Sequence, residues 1–153
     1  SSSAASDVYK RQAYIYMQET AQDHPGRCFA VYAKPGDIVI VPPGWAHATI
    51  VADITQNLTF GAWCVRDYGF DYDEVRAHKG VAWFPIVNEN RIDFIANQFY
   101  QKSQLIVKEP RIYEEFGIRK GIPIYQQFVE NPDLFLFVSQ PQLAKEKWEN
   151  FIP

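Results

Sequence analysis

Gly36, Pro42, Gly44 and His47 form the most informative spacing in the chain, with five, one and two residues between successive members. Glycine reaches backbone angles closed to other residues and proline cannot donate to a β-ladder, so Gly36 turns into a strand while Pro42 and Gly44 break it and reverse the chain. The next strand then opens with an imidazole. Its pleat puts His47, Thr49 and Val51 on one face and Ala46, Ala48 and Ile50 on the other, with the histidine aimed into a barrel. An imidazole there can bind a metal, move a proton, or simply bond to a backbone carbonyl. Chance produces this spacing in a chain of this composition with a probability on the order of 10⁻³.

Short strands must position it. Ala13 to Met17 is rich in β-formers, and Asp23-His24-Pro25-Gly26 is a turn signal before Cys28 to Tyr32 resumes, which predicts a hairpin. Lys34-Pro35-Gly36-Asp37 has proline and glycine at the centre of a type II turn, and Ile38 to Val41 follows as a strand closed by Pro42-Pro43-Gly44. Ala46 to Ala52 and Leu58 to Val65 read as two more. Five short strands with no helical period before residue 71 point to an antiparallel sandwich or barrel, so the fold class is mostly β. Asp71 to His78 then predicts a short helix, acidic in its first turn and ended by Gly80. Leu105-Ile106-Val107 reads as a strand, and Pro141 to Phe151 as a terminal helix with Leu143, Trp148 and Phe151 on one face.

Composition narrows the function. The 153 residues are 47% apolar, enough for one packed core, and a net charge of −3 provides no field for nucleic acid or an anionic membrane. No apolar run approaches the roughly 18 residues of a membrane-spanning helix. Cys28 and Cys64 are too few for a disulfide scaffold, and a cytoplasmic setting is expected. Asn57-Leu58-Thr59 fits the glycosylation pattern and is read as incidental. Met17 is the sole methionine, and residues 1–12 are small, polar and without periodicity. They are read as a non-native adaptor or linker, with the domain proper at 13–153.

The string from Pro35 through Pro42-Pro43-Gly44-Trp45-Ala46-His47 to Thr49 resembles the second motif of the cupin superfamily, and more narrowly the cupin-type glucose-6-phosphate isomerases. The likeness continues through Gly61-Ala62-Trp63 to Asp71-Tyr72, and the length beyond Ile124 is similar to bacterial members. The resemblance implies a double-stranded β-helix (jelly-roll) barrel, incomplete at its N-terminus, with a helical or extended C-terminal extension. It further implies a divalent metal, Fe2+ first and Mn2+, Ni2+ or Zn2+ as alternatives, held by three histidines and a glutamate. His47 matches one of those histidines. The other three ligands come from an upstream His-x-His and Glu motif that these residues do not contain, so one ligand of four is expected here, with no catalytic residue present.

Tyr72, from the matching Asp-Tyr pair, is implied to contact the substrate phosphate. Phe70 and Cys64 stand where some relatives have His and Tyr, and Val51 stands where the family has Asn. His24, in the hairpin turn, and His78, at the helix end, are both expected to be solvated rather than to join His47. Cys64 reads as a small core residue.

The activity implied is the reversible conversion of glucose 6-phosphate to fructose 6-phosphate, in glycolysis and gluconeogenesis, through a cis-enediol or a hydride shift. The parent is expected to be an isomerase and a homodimer, and the 153 residues alone to be inactive. A non-catalytic cupin module that binds sugar phosphates is the alternative from another class, and a cupin dioxygenase a third.

Overall fold

The computed structural model describes residues 4–7, 13–34, 36–42, 44–51, 60–61, 72–89, 91–114, 117–135 and 152–153. The strands are β1 (Ala4–Asp7), β2 (Ala13–Gln18), β3 (Cys28–Ala33), β4 (Ile38–Val41), β5 (Ala46–Val51), β6 (Phe60–Gly61), β7 (Trp83–Asn88), β8 (Arg91–Ala96) and β9 (Leu105–Lys108). Two helices, α1 (Tyr72–Ala77) and α2 (Ile124–Glu130), and a 3₁₀ turn at Pro132–Phe135 complete the described elements. The chain is mostly β, and its sheets fit a cupin-type fold, although the described strands do not close into a barrel. No helix among the described residues is long and apolar enough to cross a membrane.

The central sheet has the order β6-β5-β2-β3-β9. Antiparallel pairing sets Met17 opposite both Phe29 and His47, and Ile15 opposite both Val31 and Thr49. Directly paired residues share a face, so these six point the same way. Ile15, Met17, Phe29, Val31 and Ala33 are buried there against Val39 and Val41 of β4, with Trp45 and Ile152 packed at the margin. β4 is buried at all four positions, which explains why Ile38 to Val41 is unbroken in apolar character. Its other partner is β1, with Ala4 opposite Val41 and Asp7 opposite Ile38. The β1 half of that ladder lies within the opening segment whose composition carries no strand period.

The opposite face of the sheet carries Tyr16, Gln18, Cys28, Ala30, Ala46, Ala48 and Ile50, all buried. Cys28 packs with Ala82 and Tyr100, so the chain following α1 covers this side. The β2–β3 hairpin closes through Glu19 N–H to Arg27 O at 3.1 Å and Thr20 N–H to Pro25 O at 3.2 Å. β7 and β8 form a separate hairpin with Trp83 opposite Ala96. The strand expected at Leu105 to Val107 is β9, which runs parallel to β3 at the sheet edge. Helix α1 matches the expected acidic start, with Asp73 and Glu74 in its first turn. The tail segment from Ile124 is helical and pinned by buried Gln127, whose side chain bonds Arg119 N and O and Ile122 O. The helix expected at 141–151 lies outside the described residues.

Candidate functional site

The two turns flanking β4 have the same build. Asp37 N–H reaches Lys34 O at 3.0 Å across Gly36, and Trp45 N–H reaches Pro42 O at 3.4 Å across Gly44. Gly36 has φ +93° and Gly44 φ +79°, the left-handed region that the third position of a type II turn requires. The first turn is also tied by the Asp37 carboxylate, which accepts Lys34 N–H at 2.9 Å and lies 3.3 Å from Lys120 Nζ. These turns fix the start of β5 and hence His47.

His47 occupies the row His47–Met17–Phe29 on the inner face of the sheet. The side chain is half-buried, between the fully buried Ala46 and Ala48 on the opposite face. Its Nδ1 lies 3.3 Å from Trp45 O. A carbonyl only accepts, so this bond assigns the proton to Nδ1 and leaves Nε2 with its lone pair. Burial pushes the imidazole below its ordinary value, against the opposing pull of the Trp45 carbonyl. The ring is thus neutral near pH 7, the state in which histidine acts as a ligand. Around it the wall is apolar: Met17 is beside it, and Phe29 stacks on Trp45 with ring centres 6.0 Å apart and planes 9° from parallel. The Arg27 guanidinium sits 5.4 Å from the Trp45 ring centre and is held by Glu19.

As a metal centre the described residues supply His47 and no more. Among them no group of three or more His, Cys, Asp or Glu side chains converges, and a single imidazole does not hold a labile divalent ion. His24 turns its Nδ1 to Gly26 N–H at 3.1 Å at the exposed hairpin tip, as its turn position predicts. His78 departs from expectation. It is 5% exposed rather than solvated, with Nδ1 2.7 Å from Glu74 O and Nε2 2.8 Å from Asp23 Oδ1, and its ring stacks on Tyr100 at 4.2 Å. The reason is that Asp23, 55 residues away in sequence, folds over the helix end, a contact without any spacing signal.

Tyr72 is the first residue of α1. The side chain of Val51, and residues 57–59, 64 and 70, lie outside what is described. Sequence reasoning missed the polar network behind the sheet. Gln18, fully buried, donates to Thr20 O at 2.8 Å and accepts from Tyr16 OH at 2.7 Å and Ala82 N–H at 2.8 Å. Asn97, also buried, donates to His78 O at 2.9 Å and Val81 O at 3.0 Å. A glutamine ending an apolar strand is the one local sign of it.

Residues 21–103, more than half of the chain, match the family described as Glucose-6-phosphate isomerase (GPI). No curated protein matches the chain, and no solved structure does. The matched span contains both glycine turns, His47 and all of α1, while Met17 and Glu19 lie just before it. The chain belongs to the cupin-type glucose-6-phosphate isomerase family of archaea and bacteria.

Proposed function

We propose that the protein acts in the interconversion of glucose 6-phosphate and fructose 6-phosphate, with His47 as one ligand of a divalent metal, Fe2+ in first place, and Tyr72 as a contact to the substrate phosphate. The observation that supports this best is the state of His47: inward-facing, neutral, its Nδ1 engaged and its Nε2 lone pair left for coordination. The remaining donors are assigned to chain outside the described residues, because one imidazole is not a metal site. For the same reason no proton transfer is assigned to a described side chain. The reaction moves hydrogen between C2 and C1 of the sugar, and its cis-enediol route needs a base close to a weakly acidic carbon, whereas a hydride shift does not. The inner row holds an imidazole and apolar groups, with no carboxylate among its described members. What these residues contribute is a dry wall of Met17, Phe29 and Trp45 that excludes water, and one oriented nitrogen. The proposal includes a cytoplasmic homodimer.

A coupled isomerase assay on the 153-residue chain with added Fe2+ or Mn2+ tests it, together with calorimetry of fructose 6-phosphate. The expected result is binding without turnover, and turnover once a segment carrying His-x-His and Glu is joined ahead of Ala13. Robust turnover by the chain alone would refute the one-ligand reading. Binding without turnover even after that addition would favour a sugar-phosphate-binding module.

A further inference from the structure

His78 closes the C-terminal end of α1, six residues after Tyr72. Both ring nitrogens face groups that only accept: the Glu74 carbonyl at 2.7 Å and the Asp23 carboxylate at 2.8 Å. A neutral imidazole carries one N–H and can satisfy one acceptor, whereas the imidazolium satisfies both. The ring is buried while Asp23 is largely exposed, and the near-parallel Tyr100 ring beneath it suits a cation. We propose that charged His78 is a positioning residue that fastens α1 to the β2–β3 hairpin and sets where Tyr72 stands, so that the placement of α1 depends on pH. The part concerning Tyr72 rests on the functional reading above.

The groups around the ring are consistent with the charge. Asp23 faces it from the hairpin, Glu74 from its own helix, and the Tyr100 phenol from the segment after β8. Tyr100 OH itself donates to Gly80 O at 2.7 Å. The nearby cation, Lys79, is drawn off over the Phe99 ring, 4.8 Å from its centre. Asn97 anchors the same helix end through His78 O, so the fastening has a neutral half that does not titrate and a charged half that does.

The Glu74 carbonyl bond, the largest influence, and then the Asp23 carboxylate raise the His78 pKa against the opposing effect of burial. A basic group whose pKa is raised on folding stabilises fully below the unfolded value, about 6.5 for histidine, and that stabilisation is lost as pH climbs through the raised folded value. α1 is therefore held fully below about pH 6.5 and loosened as pH climbs through the raised folded value.

Nitrogen-15 NMR of the His78 ring is the direct test, with amide hydrogen exchange at His78, Lys79 and Gly80 as the readout of fastening. Both ring nitrogens are expected to be protonated at pH 6. Exchange at the three amides, corrected for the intrinsic pH effect, is expected to quicken about tenfold above the transition, the scale of one charge-assisted hydrogen bond. Asp23→Asn, which is exposed and safe for folding, should move the transition to lower pH; His78→Gln should remove it. A ring with one bare nitrogen at pH 6, or a transition unmoved by Asp23→Asn, overturns the proposal. Calorimetry of fructose 6-phosphate across the same range separates the two readings. Affinity that falls with the His78 transition supports both. Affinity that ignores a verified transition overturns the positioning of Tyr72 by this helix. Absence of binding at every pH, with the NMR transition and the exchange intact, upholds the fastening and refutes the sugar-phosphate site.

Discussion

The two faces of the central sheet solve opposite problems. The outer face buries Gln18 completely and backs onto Asn97 and His78, and each of these polar side chains finds partners inside the protein. Among the described residues the inner face is apolar except at His47, Thr49 and, on the edge strand β9, Lys108, whose ammonium lies 5.2 Å from the Phe29 ring centre, and the histidine commits one nitrogen while keeping the other. A saturated network has no bonding capacity left to offer a ligand, so it serves to specify packing. An imidazole set in an apolar wall with a spare lone pair adds little to folding and is available for chemistry. The two faces should respond differently to the same kind of substitution.

The largest effect belongs to the outer face. Gln18→Leu nearly keeps the volume but leaves Tyr16 OH and Ala82 N–H without their partner in a buried setting, and Thr20 O without its own in a partly buried one. Stranding such groups costs about 1–3 kcal/mol each before relaxation, so a net loss of about 3 kcal/mol is expected, read as a lower urea midpoint. A loss under about 1 kcal/mol would show that the network is loose and that the contrast between faces is false. Next comes the turn that aims the inner face. At Gly36 an added Cβ would meet Gly121 Cα at 3.5 Å, an ordinary contact, so Gly36→Ala suffers only from the φ of +93°. About 1–2 kcal/mol is expected from that backbone strain.

The inner face was legible because its instructions are local. Gly36, Pro42, Gly44 and His47 lie within twelve consecutive residues, their turns are set by backbone sterics, and the pleat then fixes which way the imidazole faces. The strands from Ala13, Cys28, Ile38 and Ala46 follow from the same local grammar of β-formers and turn residues. The outer face was hidden because its bonds join residues far apart: Gln18 to Ala82, and Asp23 to His78. No periodicity encodes a contact between a hairpin tip and a helix end. His78 looked solvated for that reason, since its own neighbours, Lys79 and Gly80, describe an exposed helix terminus.

His47→Leu sharpens the comparison from the other side. It removes a desolvated imidazole and one 3.3 Å bond, and places a methyl-bearing side chain beside Met17 and near the Phe29–Trp45 stack. Stability is expected to change by less than about 1 kcal/mol, in either direction, because the apolar gain offsets the lost bond. A loss as large as that of Gln18→Leu in the same urea titration would make His47 a structural residue and remove the reason to call it a ligand.

The smallest effect lies at the rim, where Glu19 holds Arg27 beneath Trp45. Burial pushes the Glu19 carboxyl up, but the Arg27 side chain and its amide, 3.0 Å from Oε1, together outweigh it and leave the group below its ordinary value. A carboxyl lowered on folding contributes stability that is present above its unfolded pKa, about 4.3 for glutamate, and lost as pH falls through the folded value. Both partners are a third or more exposed, so screening limits the pair to about 0.5 kcal/mol. Glu19→Gln should therefore flatten the acid limb of stability between roughly pH 5 and 3 by about that amount, and 0.5 M salt should erase much of the difference. A larger, salt-insensitive loss would mean that Glu19 acts through the hairpin backbone instead. In that case the rim would belong with the saturated outer network, and the boundary between the two faces would have to be drawn above Trp45 rather than below it.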